Sequence, residues 1–282
     1  MSKQDTIISL LKEIDKNIDN VGSGGNVSKI KVYTFRVTNE CINDDGIWEG
    51  ESLIDTSEVI SLESCFFKTR IKRLNASNWD VRKVTDISNF IFGCKNLEYI
   101  DLSGWETDSL VKMQYPFACS AIKEFNFGDL NTSNVTNMFE VFYQCTNLEK
   151  CNVANWDVRK VKDMRYMFAG TKIKSLDLTN WEVNSTVNME FIFLNLSSLI
   201  SLVGDRTIEN VLENNISVLR NCQYELSLNK TNIDRASLRA LINGLADLTG
   251  SDTQTLTLGE TLIAKLTEED IAIATAKNWT IA

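Results

Sequence analysis

The sequence of 282 residues contains no histidine and only one proline. Histidine is the commonest general base and the commonest zinc ligand, so its absence argues against most hydrolases and zinc enzymes. The formal net charge of −9 argues against a nucleic-acid-binding protein, because neutralising phosphates requires clustered Lys and Arg. We therefore expect a non-enzymatic protein without catalytic, cofactor-binding or metal-binding residues.

Long hydrophobic runs are also missing. No stretch approaches the roughly 18 apolar residues that a membrane span needs, and the first residues lack the basic and apolar regions of a signal peptide. The seven cysteines include no Cys-x2-Cys pair, so we expect reduced thiols packed as small apolar core residues. These features predict a protein made in the cytoplasm, without a signal peptide and without membrane insertion.

A repeat of 25 or 26 residues dominates the sequence. Apolar residues five and three positions before an apolar anchor alternate as in a strand with one buried face. Apolar residues eight and twelve positions after the anchor have the spacing of a short helix. Each repeat is therefore predicted to be strand, loop, short helix and loop, stacked on its neighbours around a continuous core. The anchors are Trp79, Trp105, Leu130, Trp156 and Trp181; the later positions are Ile87, Met113, Met138, Met164 and Met189, and Ile91, Phe117, Phe142, Phe168 and Phe193.

The same residues carry a family resemblance. The strings NWDVRKV (78–84, repeated at 155–161) and MRYMFAGTKIKSLDLTNW (164–181) resemble BspA-like leucine-rich repeats of bacterial surface proteins, with the consensus LDLSNWDTSNVTDMSxMFxGCxxL. The resemblance covers about residues 57–202. It implies an α/β fold, a leucine-rich-repeat solenoid with short strands and short helices. Pro116 departs from the pattern and argues against a local helix in the second repeat.

The N-terminus has a heptad pattern of apolar residues. Leu at position a with Ile at position d favours trimers or tetramers over dimers, and GSGG (22–25) follows as a flexible joint. We expect a coiled-coil-like helix that joins copies of the chain, with a trimer favoured; the alternative is an amphipathic helix folded back on its own domain. The arrangement resembles the N-termini of phage fibre and appendage proteins. The oligomerisation residues are Ile7, Leu11, Ile14, Ile18 and Val21.

The remaining segments complete a division into five parts. The acidic residues Asp44, Asp45, Glu49 and Glu51 match no calcium loop, and a solvated turn is the favoured interpretation. Thr267 with Asp270 resembles a capping box before a helix at 267–278, and 279–281 is a closing strand. The C-terminal part resembles the last repeats of phage-encoded leucine-rich-repeat proteins. The parts are an oligomerisation or anchoring helix (1–21), a Gly/Ser linker (22–26), an N-terminal cap with a degenerate first repeat (27–73), five repeats (74–202), and longer C-terminal repeats with a cap (203–282).

A column of short polar side chains is predicted on the outer side of the strands, four positions before each anchor. These side chains can hydrogen-bond a glycan or a peptide, although an ordinary solvated strand face has the same composition. The possible ligand-facing positions are Asn75, Asp101, Asn126, Asn152 and Asp177.

Two functions from different classes follow. The first is a virion structural protein, a head or tail fibre or decoration of a tailed bacteriophage. It would be bound to other virion proteins and exposed on the virion surface, where its solenoid attaches to a host cell-surface glycan or protein. The alternative is a bacterial cell-surface adhesin or protein–protein interaction scaffold. A glycan-cleaving depolymerase ranks third, because hydrolysis by two carboxylates needs no histidine.

Overall fold

The computed structural model describes residues 30–31, 34–48, 54–125, 130–178, 181, 187–199, 226–228, 233–245 and 247–282. The predicted N-terminal helix, with Ile7, Leu11, Ile14, Ile18 and Val21, lies outside these residues, and so does Asn126. The coiled coil and the trimer therefore stay predictions.

The described chain is a mixed α/β structure of short strands and few helices. The strands pair in parallel, as β1–β2, β3–β4, β5–β6 and β7–β8–β9. In β3–β4, Arg73 lies opposite Tyr99, and in β5–β6, Glu124 lies opposite Lys150. The strand of one repeat thus lies beside the strand of the next. The strands are β1 (Ile30–Lys31), β2 (Ile54–Asp55), β3 (Arg73–Asn75), β4 (Tyr99–Asp101), β5 (Glu124–Phe125), β6 (Lys150–Cys151), β7 (Leu226–Ser227), β8 (Gln254–Thr257) and β9 (Trp279–Ile281).

A second column of parallel pairing runs along the same repeats, seven positions after each anchor. It consists of single bridges, each joining one repeat to the next. Two separate lines of backbone contact therefore hold neighbouring repeats in register. The residues of this column are Thr34, Ser61, Asp86, Lys112, Asn137, Asp163 and Asn188.

The predicted short helices of the repeats are wrong. The described residues between 54 and 199 form no α-helix; the segment after each bridge is a series of tight turns. In these segments up to residue 171, N–H groups of alternate residues donate to carbonyls of the next repeat, as from Met138 to Asp163 and from Phe142 to Met167, both at 2.8 Å. We call these stretches the turn segments. They are residues 62–69, 87–94, 113–120, 138–145, 164–171 and 189–196.

Left-handed backbone at two positions of each turn segment explains the absence of a helix. The residues 10 and 14 positions after the anchor have φ between 54° and 73°, and L-residues do not continue an α-helix through such a conformation. The residues eight and twelve positions after the anchor are buried in the core, so their spacing of four is the same as on a helix. The left-handed residues are Ser64, Asn89, Tyr115, Glu140, Tyr166 and Phe191, and Lys68, Gly93, Cys119, Gln144, Gly170 and Asn195.

The single proline fits this geometry. At the equivalent positions in other repeats, the N–H of Phe90 and of Met167 bonds three residues back within its own turn and makes no bond between repeats. Pro116 therefore gives up only a local bond, and its carbonyl still accepts from Ile91 N–H at 2.8 Å.

Aromatic anchors and buried thiols fill the core between the two columns. The indole N–H of Trp105 donates to the carbonyl of Ala76 at 2.9 Å, and that of Trp181 donates to Val153 at 2.8 Å, so each bonds to the preceding repeat. The thiols of Cys94 and Cys145 donate to buried carbonyls at 3.0 Å. Burial raises the pKa of Cys94 to about 11 and that of Cys145 to about 12, so both stay protonated at neutral pH.

The C-terminal section differs from the repeats because it contains true helices: α1 (Arg235–Gly244), α2 (Glu260–Ile263) and α3 (Glu268–Ala276). The predicted capping box is confirmed: Thr267 accepts from Asp270 N–H, and the Asp270 carboxylate accepts from Thr267 N–H at 2.9 Å. The closing strand β9 is also where the sequence places it.

Candidate functional site

Four of the five predicted ligand-facing residues lie within the described part of the chain. Asn75 and Asn152 are exposed, and Asp101 and Asp177 are half-buried. All four lie on the side of the strands opposite the core, which we call the outward strand face. Whether they contact a ligand stays a prediction.

Two of these side chains shape the backbone at the end of their strands. Asn75 Oδ1 accepts from the backbone N–H and the hydroxyl of Ser77, at 3.1 and 2.7 Å. Asp101 Oδ1 accepts from Ser103 N–H at 2.9 Å, and its Oδ2 accepts from the Tyr99 hydroxyl at 3.3 Å. The hydrogen bonds from Ser103, with that from Tyr99, lower the pKa of the Asp101 carboxyl, which is therefore ionised at neutral pH. These hydrogen bonds turn the chain at the ends of the strands, and the Nδ2 group of Asn75 is left for other contacts.

A second column of the outward strand face was missed in the sequence. It lies six positions before each anchor, on the same side of the strand because side chains alternate with period two. The period-two alternation places these residues on the outward strand face, but their types vary so much that the sequence alone does not identify them as one column. All of its members are exposed: Ile47, Arg73, Tyr99, Glu124, Lys150 and Ser175.

A pocket of about 280 Å³ opens on this face, at its N-terminal end. The guanidinium of Arg73 lies 4.7 Å from the centroid of the Tyr99 ring. Stacking of this kind holds the planar group in one orientation and leaves its edge free for hydrogen bonds. The pocket is lined by Ile47, Trp48, Arg73, Leu74, Asn75 and Tyr99.

The charges near the pocket distinguish it from the rest of the face. Further along, Lys150 Nζ lies 2.7 Å from a carboxylate oxygen of Glu124, and Lys174 Nζ lies 2.9 Å from one of Glu149. Among the described residues, no carboxylate forms an ion pair with the guanidinium of Arg73, which lines the pocket.

No metal site accompanies the pocket in the described ranges, where no three His, Cys, Asp or Glu side chains are grouped to hold an ion. Asp44 and Asp45 lie in an exposed turn, whereas Glu49 and Glu51 are outside the described residues.

A row of partly buried aromatic side chains follows the turn segments, away from the outward strand face. Neighbouring ring centroids are 5.0 to 6.2 Å apart. Lys68 Nζ lies 4.9 Å from the Phe67 centroid, and the Arg165 guanidinium lies 4.8 Å from that of Phe139. The rings are thus in contact with one another and with cations of the chain itself, so the row joins repeats and the pocket is the better candidate site. The row is Phe67, Phe92, Tyr115, Phe139, Tyr166 and Phe191.

Comparison with known proteins identifies the repeat. Among the described residues, none of the helices has the length and apolar character to cross a membrane. No curated protein and no solved structure matches the chain. The family model described as "Mycoplasma protein of unknown function, DUF285" matches twice, at residues 35–127 and 116–228. Together these matches span more than half of the sequence, and the chain therefore belongs to the DUF285 family, a family of BspA-like repeats.

Proposed function

We propose that this chain is a non-enzymatic adhesion protein whose repeats form a solenoid and present the outward strand face to a surface ligand. The observation that carries this proposal is the parallel pairing from repeat to repeat, which sets equivalent outward side chains next to one another. A ligand that extends along the repeats, such as a glycan, contacts several of them at once. Many weak contacts then combine into strong overall binding.

The biological setting that we favour is a virion. In this proposal the chain is a fibre or decoration protein of a tailed bacteriophage, held to other virion proteins and joined to further copies through its N-terminal helix. The heptad positions Leu11, Ile14 and Ile18 and the resemblance to phage fibre N-termini support it.

A bacterial cell-surface adhesin or interaction scaffold is the second candidate. The family match favours it, because the family model is described from Mycoplasma, a cellular organism. The two settings share the same adhesive face and differ in what carries it.

Binding of the labelled full-length chain to intact bacteria tests the adhesion function. We expect saturable binding that a double variant of the outward strand face, Tyr99→Ala with Asn152→Ala, weakens at least tenfold. The matched control, Arg82→Ala with Arg159→Ala, changes two exposed side chains away from this face and should bind as the wild type does. Periodate oxidation of the cells tests for a glycan ligand, and protease treatment tests for a protein ligand. Absence of binding would contradict an adhesin. Release of sugars from the cells would contradict a non-enzymatic protein.

The mass of the intact protein in solution tests the oligomeric part. We expect a trimer by light scattering, and a monomer for Ile14→Lys, which places a charge in the seam. Lys12→Ala, outside the seam, should remain a trimer. Antibodies to the chain should then label phage particles; labelling of bacterial envelopes alone would favour the cellular adhesin.

A further inference from the structure

We propose that the pocket at Arg73 binds one carboxylated sugar residue of a surface glycan, an inference that rests on the proposed adhesion function. Arg73 supplies the first reason. Its guanidinium is held against the Tyr99 ring, 4.7 Å from the centroid, and no described carboxylate pairs with it. A guanidinium fixed in this way binds a carboxylate through two parallel hydrogen bonds and loses little side-chain entropy on binding.

A second donor lies beside it. Because Asn75 Oδ1 accepts two hydrogen bonds from Ser77, the orientation of the amide is set and its Nδ2 is the remaining polar atom. Nδ2 makes no hydrogen bond to a described residue. The pocket therefore offers two neighbouring donor groups, from Arg73 and Asn75, which favours a ligand rich in acceptors and carrying negative charge.

The apolar part of the pocket fits a sugar ring. Ile47 and Tyr99 are among the most exposed large hydrophobic residues described, at 40% and 41%. A pyranose ring has an apolar C–H face that packs on such side chains while its hydroxyl groups stay hydrated. The volume, about 280 Å³, is just under the roughly 300–1,000 Å³ of pockets for drug-sized ligands. The pocket therefore suits one ring with its substituents.

The surroundings favour a glycan over a peptide. Extended peptides commonly bind by adding a strand to a free sheet edge, but the Arg73 backbone is already paired with Ile47 on one side and with Tyr99 on the other. Along the outward strand face the chain instead presents carboxylate, hydroxyl and amide groups, at Asp101, Ser103 and Asn152. Such groups exchange hydrogen bonds with sugar hydroxyls.

Calorimetric titration of the full-length protein with a panel of acidic oligosaccharides tests the pocket. The panel contains tetramers of galacturonate, glucuronate and mannuronate and a tetramer of N-acetylneuraminate, each beside its methyl ester, which keeps the ring but removes the charge. We expect at least one acid to bind and its ester to bind at least tenfold more weakly, because hydrogen bonds between a guanidinium and a carboxylate are stronger than those between neutral groups.

Variants distinguish the pocket from general attraction between charges. Arg73→Ala should weaken binding of that acid at least tenfold, and Arg73→Lys should weaken it by a smaller factor, because Lys keeps the charge but not the planar fork. Arg159→Ala removes the same charge elsewhere and should change nothing. Tyr99→Ala should weaken binding through loss of the stack, whereas Tyr99→Phe should bind as the wild type does. Circular dichroism verifies that each variant is folded.

Several results would overturn the inference. They are equal binding of acid and ester, equal losses in Arg73→Ala and Arg159→Ala, or no binding by any acid up to about 10 mM, beyond the range of useful affinity. The adhesion function is judged separately on intact cells. If the wild type and Arg73→Ala adhere equally well, the adhesin stands and the carboxylate pocket fails. If the wild type does not adhere, the adhesin fails whatever the calorimetry shows.

Discussion

The repeats (54–199) and the C-terminal section (226–282) connect parallel strands in different ways. In the repeats, the return segment is a series of turns whose N–H groups donate to the next repeat. In the C-terminal section, the N–H groups of α1 and α3 beyond the first turn bond within their own helix, and a capping side chain accepts from one N–H of each first turn. A repeat is thus incomplete without its neighbour, whereas a helix can keep its bonds when its neighbour is lost. We therefore expect damage in the repeats to spread and damage in the C-terminal section to stay local.

The largest effect is expected from Phe142→Ala in the middle repeat. Phe142 is fully buried, and its ring centroid lies 5.8 Å from that of Phe168 in the next repeat and 5.6 Å from that of Phe117 in the preceding one. Loss of the ring should cost about 3–5 kcal/mol. Hydrogen exchange followed by mass spectrometry should show faster exchange in the neighbouring repeats as well.

Leu241→Ala is the matched change in the C-terminal section. Leu241 in α1 is also fully buried, and its truncation should cost about 2–5 kcal/mol. Faster exchange should be confined to residues 226–282. Equal spreading in both variants would remove the distinction between the two sections.

Proline substitutions test the two kinds of return segment directly. Ile273→Pro, inside α3, should cost about 3 kcal/mol or more, because it removes a helix bond and the ring clashes with the preceding turn. Val141→Pro, at the position of Pro116 in the next repeat, should cost less than about 1.5 kcal/mol, as volume-conserving swaps do. Denaturant unfolding measures both. A severe loss in Val141→Pro would mean that the turn segments are helical in solution.

A smaller effect is expected at the cap of α3. Thr267→Ala should cost about 1 kcal/mol at neutral pH, and Thr275→Ala, an exposed position in the same helix, should cost less. Burial opposes ionisation of Asp270, but hydrogen bonds from Thr267 and the charges of Arg239 and Arg235 outweigh it and lower its pKa. The stabilisation is thus present above the unfolded pKa of about 3.8 and is lost as the pH falls through the lower folded value.

Unfolding at several pH values therefore adds a second test of this cap. The C-terminal section should lose stability on acidification, and the difference between wild type and Thr267→Ala should shrink below about pH 4, where Asp270 takes up a proton. If the difference in stability between wild type and Thr267→Ala stays constant with pH, the effect of Thr267 comes from its hydroxyl alone and not from the charge of Asp270.

The smallest effect is expected from exposed ion pairs between repeats. Lys174 and Glu149 approach to 2.9 Å, but their side chains are 60% and 51% exposed. Water and salt screen such pairs, so Lys174→Ala should leave the denaturant midpoint within error. A clear loss would show that the repeats depend on surface charge as well as on backbone bonds.

The parts of the fold that the sequence predicted are those in which one residue type has one structural meaning. Buried apolar and exposed polar residues alternate before both Trp79 and Trp105, and this alternation predicts a strand. Thr267 with Asp270 predicts the start of a helix. The turn segments were instead predicted to be helices, because apolar residues four apart, such as Met138 and Phe142, have the same spacing on a helix.

Two further features gave no signal in the sequence. Left-handed positions are commonly glycine or asparagine, but only four of the twelve are so here, and bulky side chains such as Tyr115, Tyr166 and Phe191 occupy others, so no column of glycine or asparagine marks them. The candidate pocket needs Ile47 beside Arg73 and Tyr99, three residues from different turns of the chain. Their meeting depends on the register between the N-terminal cap and the first repeats, which no local pattern specifies.

The one-way bonding of the turn segments gives the array of repeats a polarity. In the fourth turn segment Met138, Glu140, Phe142 and Gln144 all donate forward, and Lys162 returns a single bond to Thr136. Peptide dipoles therefore add along the axis, as they do in a helix, with carbonyl oxygens at the N-terminal end and N–H groups at the other. The cap meets the first end with a donor, from Val37 N–H to the Cys65 carbonyl at 2.7 Å. Two such arrays placed end to end would match only head to tail, since opposite orientations would bring acceptor against acceptor or donor against donor.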